Sequence, residues 1–262
     1  MKFIPKPLVE TADISRGKPT LKSFLKSAVS AVLVLALLYL FLGLVAELLA
    51  RTIPDRWERQ LSGAFPESTG ADTNAMTRAA GILERLTKGE SLRELDYHLF
   101  LFQQESPNAV AVPGGGIGVT AALLETVKSD AGLAFVLAHE LGHHQHRHIL
   151  RSLGRRLIIR TAAAMLLNYD GLSSVDTAFQ LAESGYSRRQ ERAADEFALR
   201  LVHEKYGQAA GAMEFFEKIQ EHRGDGLWMK YAGSHPPTAE RLRYLRELAM
   251  QLKDGGVEPS SR

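Results

Sequence analysis

Leu133-Ala134-Phe135-Val136-Leu137-Ala138-His139-Glu140-Leu141-Gly142-His143-His144 decides the reading of this chain. The stretch is apolar up to Ala138 and then turns to histidine and glutamate. On a helix, residues four apart share a face, so His139 and His143 can direct both imidazoles at one ion. Glu140 stands about 100° round the helix, where it can face a metal-bound water and take its proton. The AFVLA run buries the preceding turns, and ionisable groups placed beside it need a compensating partner, which a metal supplies. Taken alone, the five-residue string also occurs in ordinary polar helices.

A catalytic zinc takes three protein ligands and leaves one position for water or substrate. An HExxHxxGxxH arrangement fails, because His146 stands where the glycine belongs and Ile149 where the third histidine belongs. His144, His146 and His148 are therefore read as supporting, packing or solvent-facing groups. The better source is Tyr186-Ser187-Arg188-Arg189-Gln190-Glu191-Arg192-Ala193-Ala194-Asp195. Glu191 and Asp195 are four apart, so on a helix one carboxylate can bind metal while the other accepts a hydrogen bond from a ligand imidazole. The competing reading is an exposed helix with arginine–carboxylate pairs.

Four pieces in order, Asn108-Ala109-Val110-Ala111-Val112-Pro113-Gly114-Gly115, HELGH, SRRQERAAD and Ser234-His235-Pro236-Pro237, carry a resemblance over most of residues 75–245. The chain resembles the metallopeptidase family that includes the HtpX-like heat-shock membrane proteases and the CAAX prenyl endopeptidases, which is of the gluzincin type. The resemblance implies one zinc ion on His139, His143 and Glu191, Glu140 as general base, and Asp195 behind a ligand histidine. It further implies that His235 stabilises the oxyanion with Arg241 in support. The strand Asn108, Ala109, Val110, Ala111 and Val112 would pair with an extended polypeptide substrate. Those relatives have several membrane spans and this sequence offers one, which points to a smaller, singly anchored member acting on misfolded or membrane/envelope proteins.

Ser27–Ala46 carries no charge for about twenty residues, the length that crosses a bilayer core as a helix. An uncleaved anchor fits better than a signal peptide, because the run is long and ELLARTI offers no small-x-small site. Lys2, Lys6, Arg16, Lys18, Lys22 and Lys26 outnumber Glu10 and Asp13 before it, whereas charges behind it nearly balance. The N-terminus is thus expected in the cytoplasm and the rest on the opposite side, the periplasm in a bacterium. The expected organisation is a basic tail over 1–26, an anchor over 27–50, a metallopeptidase domain over 51–250 and a loose tail over 251–262.

Within the domain, the periodicity predicts a helix over 75–95 that breaks at Gly89, then two strands in HLFLFQQ and NAVAV, with PGGG ending strand pairing. Helices follow over 120–148, broken and capped near Ser129 and Asp130, and around 187–205 and 209–222. A buried or interfacial amphipathic helix is expected over 149–168, and a closing helix after the prolines of SHPPTAERLRYLREL. The fold class is α+β, a mostly helical zincin with a small sheet, an edge strand at the cleft and one transmembrane helix.

With 262 residues and a formal charge of +2, the chain suits one catalytic unit with appendages, and nothing in it suggests a nucleic-acid partner. It has no cysteine, so a metal must use nitrogen and oxygen ligands. Gly116-Ile117-Gly118-Val119-Thr120-Ala121 fits G-x-G-x-x-A, but no acidic ribose-binding residue follows a second strand. An anchored zinc-containing binding or chaperone-like protein is the other class; Glu140 argues against it, since a structural site needs no carboxylate between its histidines.

Overall fold

The structure, a computed structural model, describes residues 20–64, 73–154, 186–207, 214, 235 and 239–253. Leu21–Thr52 form one 32-residue helix, α1. The most apolar 18-residue window of α1 has a mean hydropathy of 2.7, and by length and composition the helix can cross a membrane. It exceeds the expected 27–50 at both ends. The chain divides into two units, Met1–Gly43 and Leu44–Arg262, and every later element belongs to the second.

In that second unit, α2 (Asp55–Arg59) and a short 3-10 turn (Ser62–Ala64) lead to α3 (Thr73–Thr87). α3 starts earlier than predicted and stops sooner, with Gly89 in the left-handed region at φ 76° just beyond it. Three short strands follow: β1 (His98–Leu101), β2 (Ala109–Ala111) and β3 (Gly116–Val119). Their order is β1-β3-β2, with β3 parallel to β1 and antiparallel to β2.

Here the sequence reading is corrected. The PGGG stretch does not end strand pairing; it turns the chain so that the next residues become the central strand. Gly114 and Gly115 take φ values of 95° and 107°, which suit glycine, and a Cβ on Gly115 would lie 2.6 Å from the Asp96 carbonyl oxygen. Gly116 and Gly118 then serve β3 by lacking side chains, because a Cβ on Gly118 would meet Phe100 at 2.8 Å and Phe102 at 3.0 Å. Those glycines make room for rings across the sheet rather than for a phosphate.

Helix α4 (Ala121–Thr126) is capped by Thr120, whose side chain accepts from the Leu123 amide. Ser129 does the same for α5 (Asp130–Gln145), accepting from Gly132 at 3.0 Å. Every residue of α5 from Ala131 to His144 is buried, as expected for a helix at the centre of a core. After a turn at 146–147 the chain is helical again over 148–154, here α6. The remainder of the predicted 149–168 helix lies outside the described residues, as does the 209–222 helix apart from Glu214, which is helical. α7 (Arg188–Tyr206) opens with a Ser187–Gln190 capping box and closes on Gly207 at φ 69°. α8 (Ala239–Lys253) ends the described chain; Pro236 and Pro237, predicted to start it, lie outside the described residues, as does 254–262 of the predicted tail.

One core joins these elements. Ile82 and Leu86 of α3, Leu99, Ile117 and Val119 of the sheet, Phe135, Leu137 and Leu141 of α5, Leu199 and Val202 of α7, and Leu245 of α8 belong to one buried cluster. Burial of such side chains stabilises by about 1.5–3 kcal/mol each, which fixes α5 between sheet and α7.

Candidate metal centre

The closest approach of α5 and α7 builds the site. Gly142, between the two histidines, has no Cβ; one placed there would stand 2.9 Å from Ala194 Cα and 3.1 Å from its carbonyl oxygen. Two small residues thus let the backbones meet, and His139, His143, Glu191 and Asp195 face one another across the contact.

Nε2 of His139 and Nε2 of His143 are 3.1 Å apart. The Glu191 carboxylate lies 3.6 Å from the first and 3.5 Å from the second. Nδ1 of His235 joins them, 3.2 Å from His139 and 3.0 Å from Glu191. These four residues are buried, and their ligand atoms lie within 4.8 Å of one another, a set able to hold a metal ion. His235, expected from the sequence at the oxyanion, has its Nδ1 among the donor atoms and its other nitrogen 3.6 Å from Glu140.

Behind the cluster, Asp195 lies 3.0 Å from Nδ1 of His139. Arg241, from the first turn of α8, grips Asp195 through Nε and a second guanidinium nitrogen at 2.7 Å, and reaches Glu191 at 2.8 Å. It also donates to the His235 carbonyl at 3.2 Å. The guanidinium therefore holds the carboxylates and the His235 backbone. Tyr186 stacks on His143 with ring centroids 3.7 Å apart. His144, one of three histidines left without a specific role by the sequence, is wholly buried and donates from Nε2 to the Gly116 carbonyl at 3.2 Å, tying α5 to β3.

The charges are uneven. Burial opposes protonation of His139, yet Asp195 and Glu191 hold its pKa up to about 9. Burial and the neighbouring His139 push His143 well below its usual value. Glu191 is held well below the carboxylate range, against its burial, by His235, His139 and Arg241. Glu140 is 0 % exposed, and both its oxygens are buried without a hydrogen-bond partner among the described residues. A buried carboxylate without such a partner, beside a cluster of metal-capable donors, fits a site that takes a metal or substrate.

β2 has β3 on one side. Asn108 accepts from the Thr120 amide and Val112 donates to Gly116, so by alternation Ala109 and Ala111 direct their main-chain groups to the other edge. Asn108 through Val112 are all buried. A recess of about 400 Å³ lies beside Glu191, lined by Tyr186, Arg188, Arg189, Glu240 and Tyr244 among others.

Buried histidines and a carboxylate thus converge on one point beneath a small sheet, in an arrangement compatible with a metal-dependent enzyme. Residues 76–249 match the sequence pattern of peptidase family M48, and the chain belongs to that family. It is 27% identical over 175 residues to the mitochondrial metalloendopeptidase OMA1 of Schizosaccharomyces pombe, covering 63% of this chain and 50% of that one. It is 28% identical over 154 residues to the metalloprotease LoiP of Escherichia coli, covering 56% and 60% respectively. A third relative, the beta-barrel assembly-enhancing protease of Escherichia coli, is 23% identical over 224 residues, covering 79% and 45%. The chain spans half or less of the length of the OMA1 proteins it matches.

Proposed function

We propose that this chain is a membrane-anchored zinc endopeptidase in which His139, His143 and Glu191 hold the metal and Glu140 is the general base. The spacing of the donors carries the reading. Two ligands each about 2.0–2.1 Å from a tetrahedral zinc stand about 3.3 Å apart; here the two Nε2 atoms are 3.1 Å apart, with Oε2 of Glu191 3.6 Å from that of His139 and Oε1 3.5 Å from that of His143. Nitrogen and oxygen donors without sulfur suit a catalytic zinc.

Zinc bound there would polarise the scissile carbonyl and acidify a water. Glu140 would serve as the general base, taking a proton from the attacking water and returning it to the departing amine. Asp195 keeps His139 oriented with Nε2 toward the cluster. His235, whose Nδ1 stands at a fourth corner of the donor set, has to move outward to expose a position for substrate. Swung out, it donates to the developing oxyanion, and Arg241 steadies its backbone. An extended substrate adds to the free edge of β2, which is buried, so the packing against Asn108–Val112 must open first. The recess beside Glu191 is large enough for a substrate side chain.

The charge asymmetry around α1 supports a cytoplasmic N-terminus with the 51–250 domain on the far side. Within the family, the HtpX-like resemblance and the one candidate span among the described residues together favour a small, singly anchored quality-control protease, with misfolded envelope or membrane proteins as substrates. Zinc content of the purified full-length chain tests the ligand set. One ion per chain is expected, with strong loss in His139→Ala, His143→Ala and Glu191→Ala; undiminished zinc in those three would contradict it.

A further inference from the structure

The two histidines of the α5 pair are held from behind in different ways. His139 has the carboxylate of Asp195 at its Nδ1, whereas Nδ1 of His143 lies 3.0 Å from Nδ1 of His148, with both rings buried. Resting on the zinc-site reading above, we infer that His148 is the positioning residue of His143: it accepts the Nδ1–H of His143 and so leaves the Nε2 lone pair of that ring for the metal.

Two facing imidazole nitrogens at hydrogen-bond distance need one proton between them, since a neutral ring has one donor and one acceptor nitrogen. A His143 that presents Nε2 to a metal carries its proton on Nδ1, so His148 must accept at Nδ1. The two tautomers are therefore fixed together. In most metal sites a carboxylate, a backbone carbonyl or water plays this part; here an imidazole does.

The fold makes a special turn to bring it there. In a continuous helix, a residue five positions on stands about 140° round, away from His143. The chain avoids this by ending α5 at Gln145 and starting α6 at 148, with Arg147 in the left-handed region at φ 55° and its amide donating to the His144 carbonyl at 2.9 Å. Arginine seldom adopts that conformation, and its side chain is tied down. Its guanidinium donates to the carbonyls of Ala50 and Ile53 and pairs with Asp55 at 2.8 Å. The last turn of α1 and the residues just after it thus fix the turn that returns His148 to His143.

The test uses the full-length chain in detergent. His148→Phe keeps ring volume and removes the acceptor; His148→Gln keeps a carbonyl acceptor. Zinc affinity by chelator competition is expected to fall about 10–100-fold in His148→Phe and to return largely in His148→Gln. In the cobalt(II)-substituted protein, His148→Gln shifts the visible absorption bands, because the acceptor behind one ligand has changed. Parent zinc affinity in a folded His148→Phe overturns the inference, and should that variant not fold, an unshifted cobalt spectrum in His148→Gln overturns it equally. His143→Ala separates the two levels. If it too retains parent affinity, the zinc-site reading has failed; if it loses zinc while His148→Phe does not, only the role of His148 has failed.

Discussion

Asp195 is wholly buried, hydrogen-bonded by Arg241, and 3.0 Å from His139 Nδ1. Removing one partner of such a pair leaves a buried charge with less compensation, which typically costs about 3–5 kcal/mol. Arg241→Ala is accordingly expected to lower stability by about that amount, read by chemical denaturation of the metal-free chain. Asp195→Asn keeps the shape and loses the charge, and zinc affinity should drop about 10–100-fold in chelator competition. At this scale much was legible in the sequence: the i, i+4 spacings of His139/His143 and Glu191/Asp195 put each pair on one helical face. Arg241 as a clamp on two carboxylates was not legible, because nothing in the local sequence joins α8 to α7. The position of His235 among the donors was hidden for the same reason, since 96 residues separate it from His139.

Between elements, the contact of α5 with α7 rests on glycine against alanine. Gly142→Ala forces the helices apart at the point where the ligands meet, because the new methyl would stand 2.9 Å from Ala194 Cα. Overpacking of this kind costs about 1–3 kcal/mol, and both the thermal midpoint of the metal-free chain and its zinc affinity are expected to fall. A variant with parent stability and affinity would show that the backbones can separate without disturbing the centre. The helices were legible in the sequence because periodicity and caps such as Ser129 and Ser187 agree there. β3 was not, because its glycines read as turn signals, while their use is to seat Phe100 and Phe102 across the sheet. The αL turn at Arg147 was equally invisible, since its cause is a long-range anchor rather than a glycine.

Over the whole molecule, a partly buried charge network couples the start of the second unit to its centre. Asp55 accepts from Arg93 at 2.7 Å, from Arg147 at 2.8 Å and from the Glu94 amide at 3.1 Å. Arg93 also reaches Glu58 and donates to the His144 carbonyl at 2.9 Å, at the end of the HExxH helix. Burial would raise the Asp55 carboxyl, but Arg93, Glu94 and Arg147 hold it below the ordinary value of 3.8. A depressed carboxyl contributes stability that is present above its unfolded pKa and lost as pH falls through the lower folded one. Denaturation of the parent should therefore steepen below about pH 4, and Asp55→Asn should flatten that limb while costing about 1.5–3 kcal/mol at neutral pH. An unchanged acid limb in the variant would remove Asp55 from the account. The apolar run of α1 was plain in the sequence, whereas the network was not, because Asp55, Glu58, Arg93 and Arg147 come from three separate stretches.

In the proposed mechanism Glu140 performs the proton transfer at a metal centre it does not ligate. Glu140→Gln in the full-length chain, assayed for bound zinc and for cleavage of casein, probes that role. One zinc is expected in both proteins, with cleavage by the parent alone, abolished by a chelator. Equal cleavage by parent and variant would contradict it.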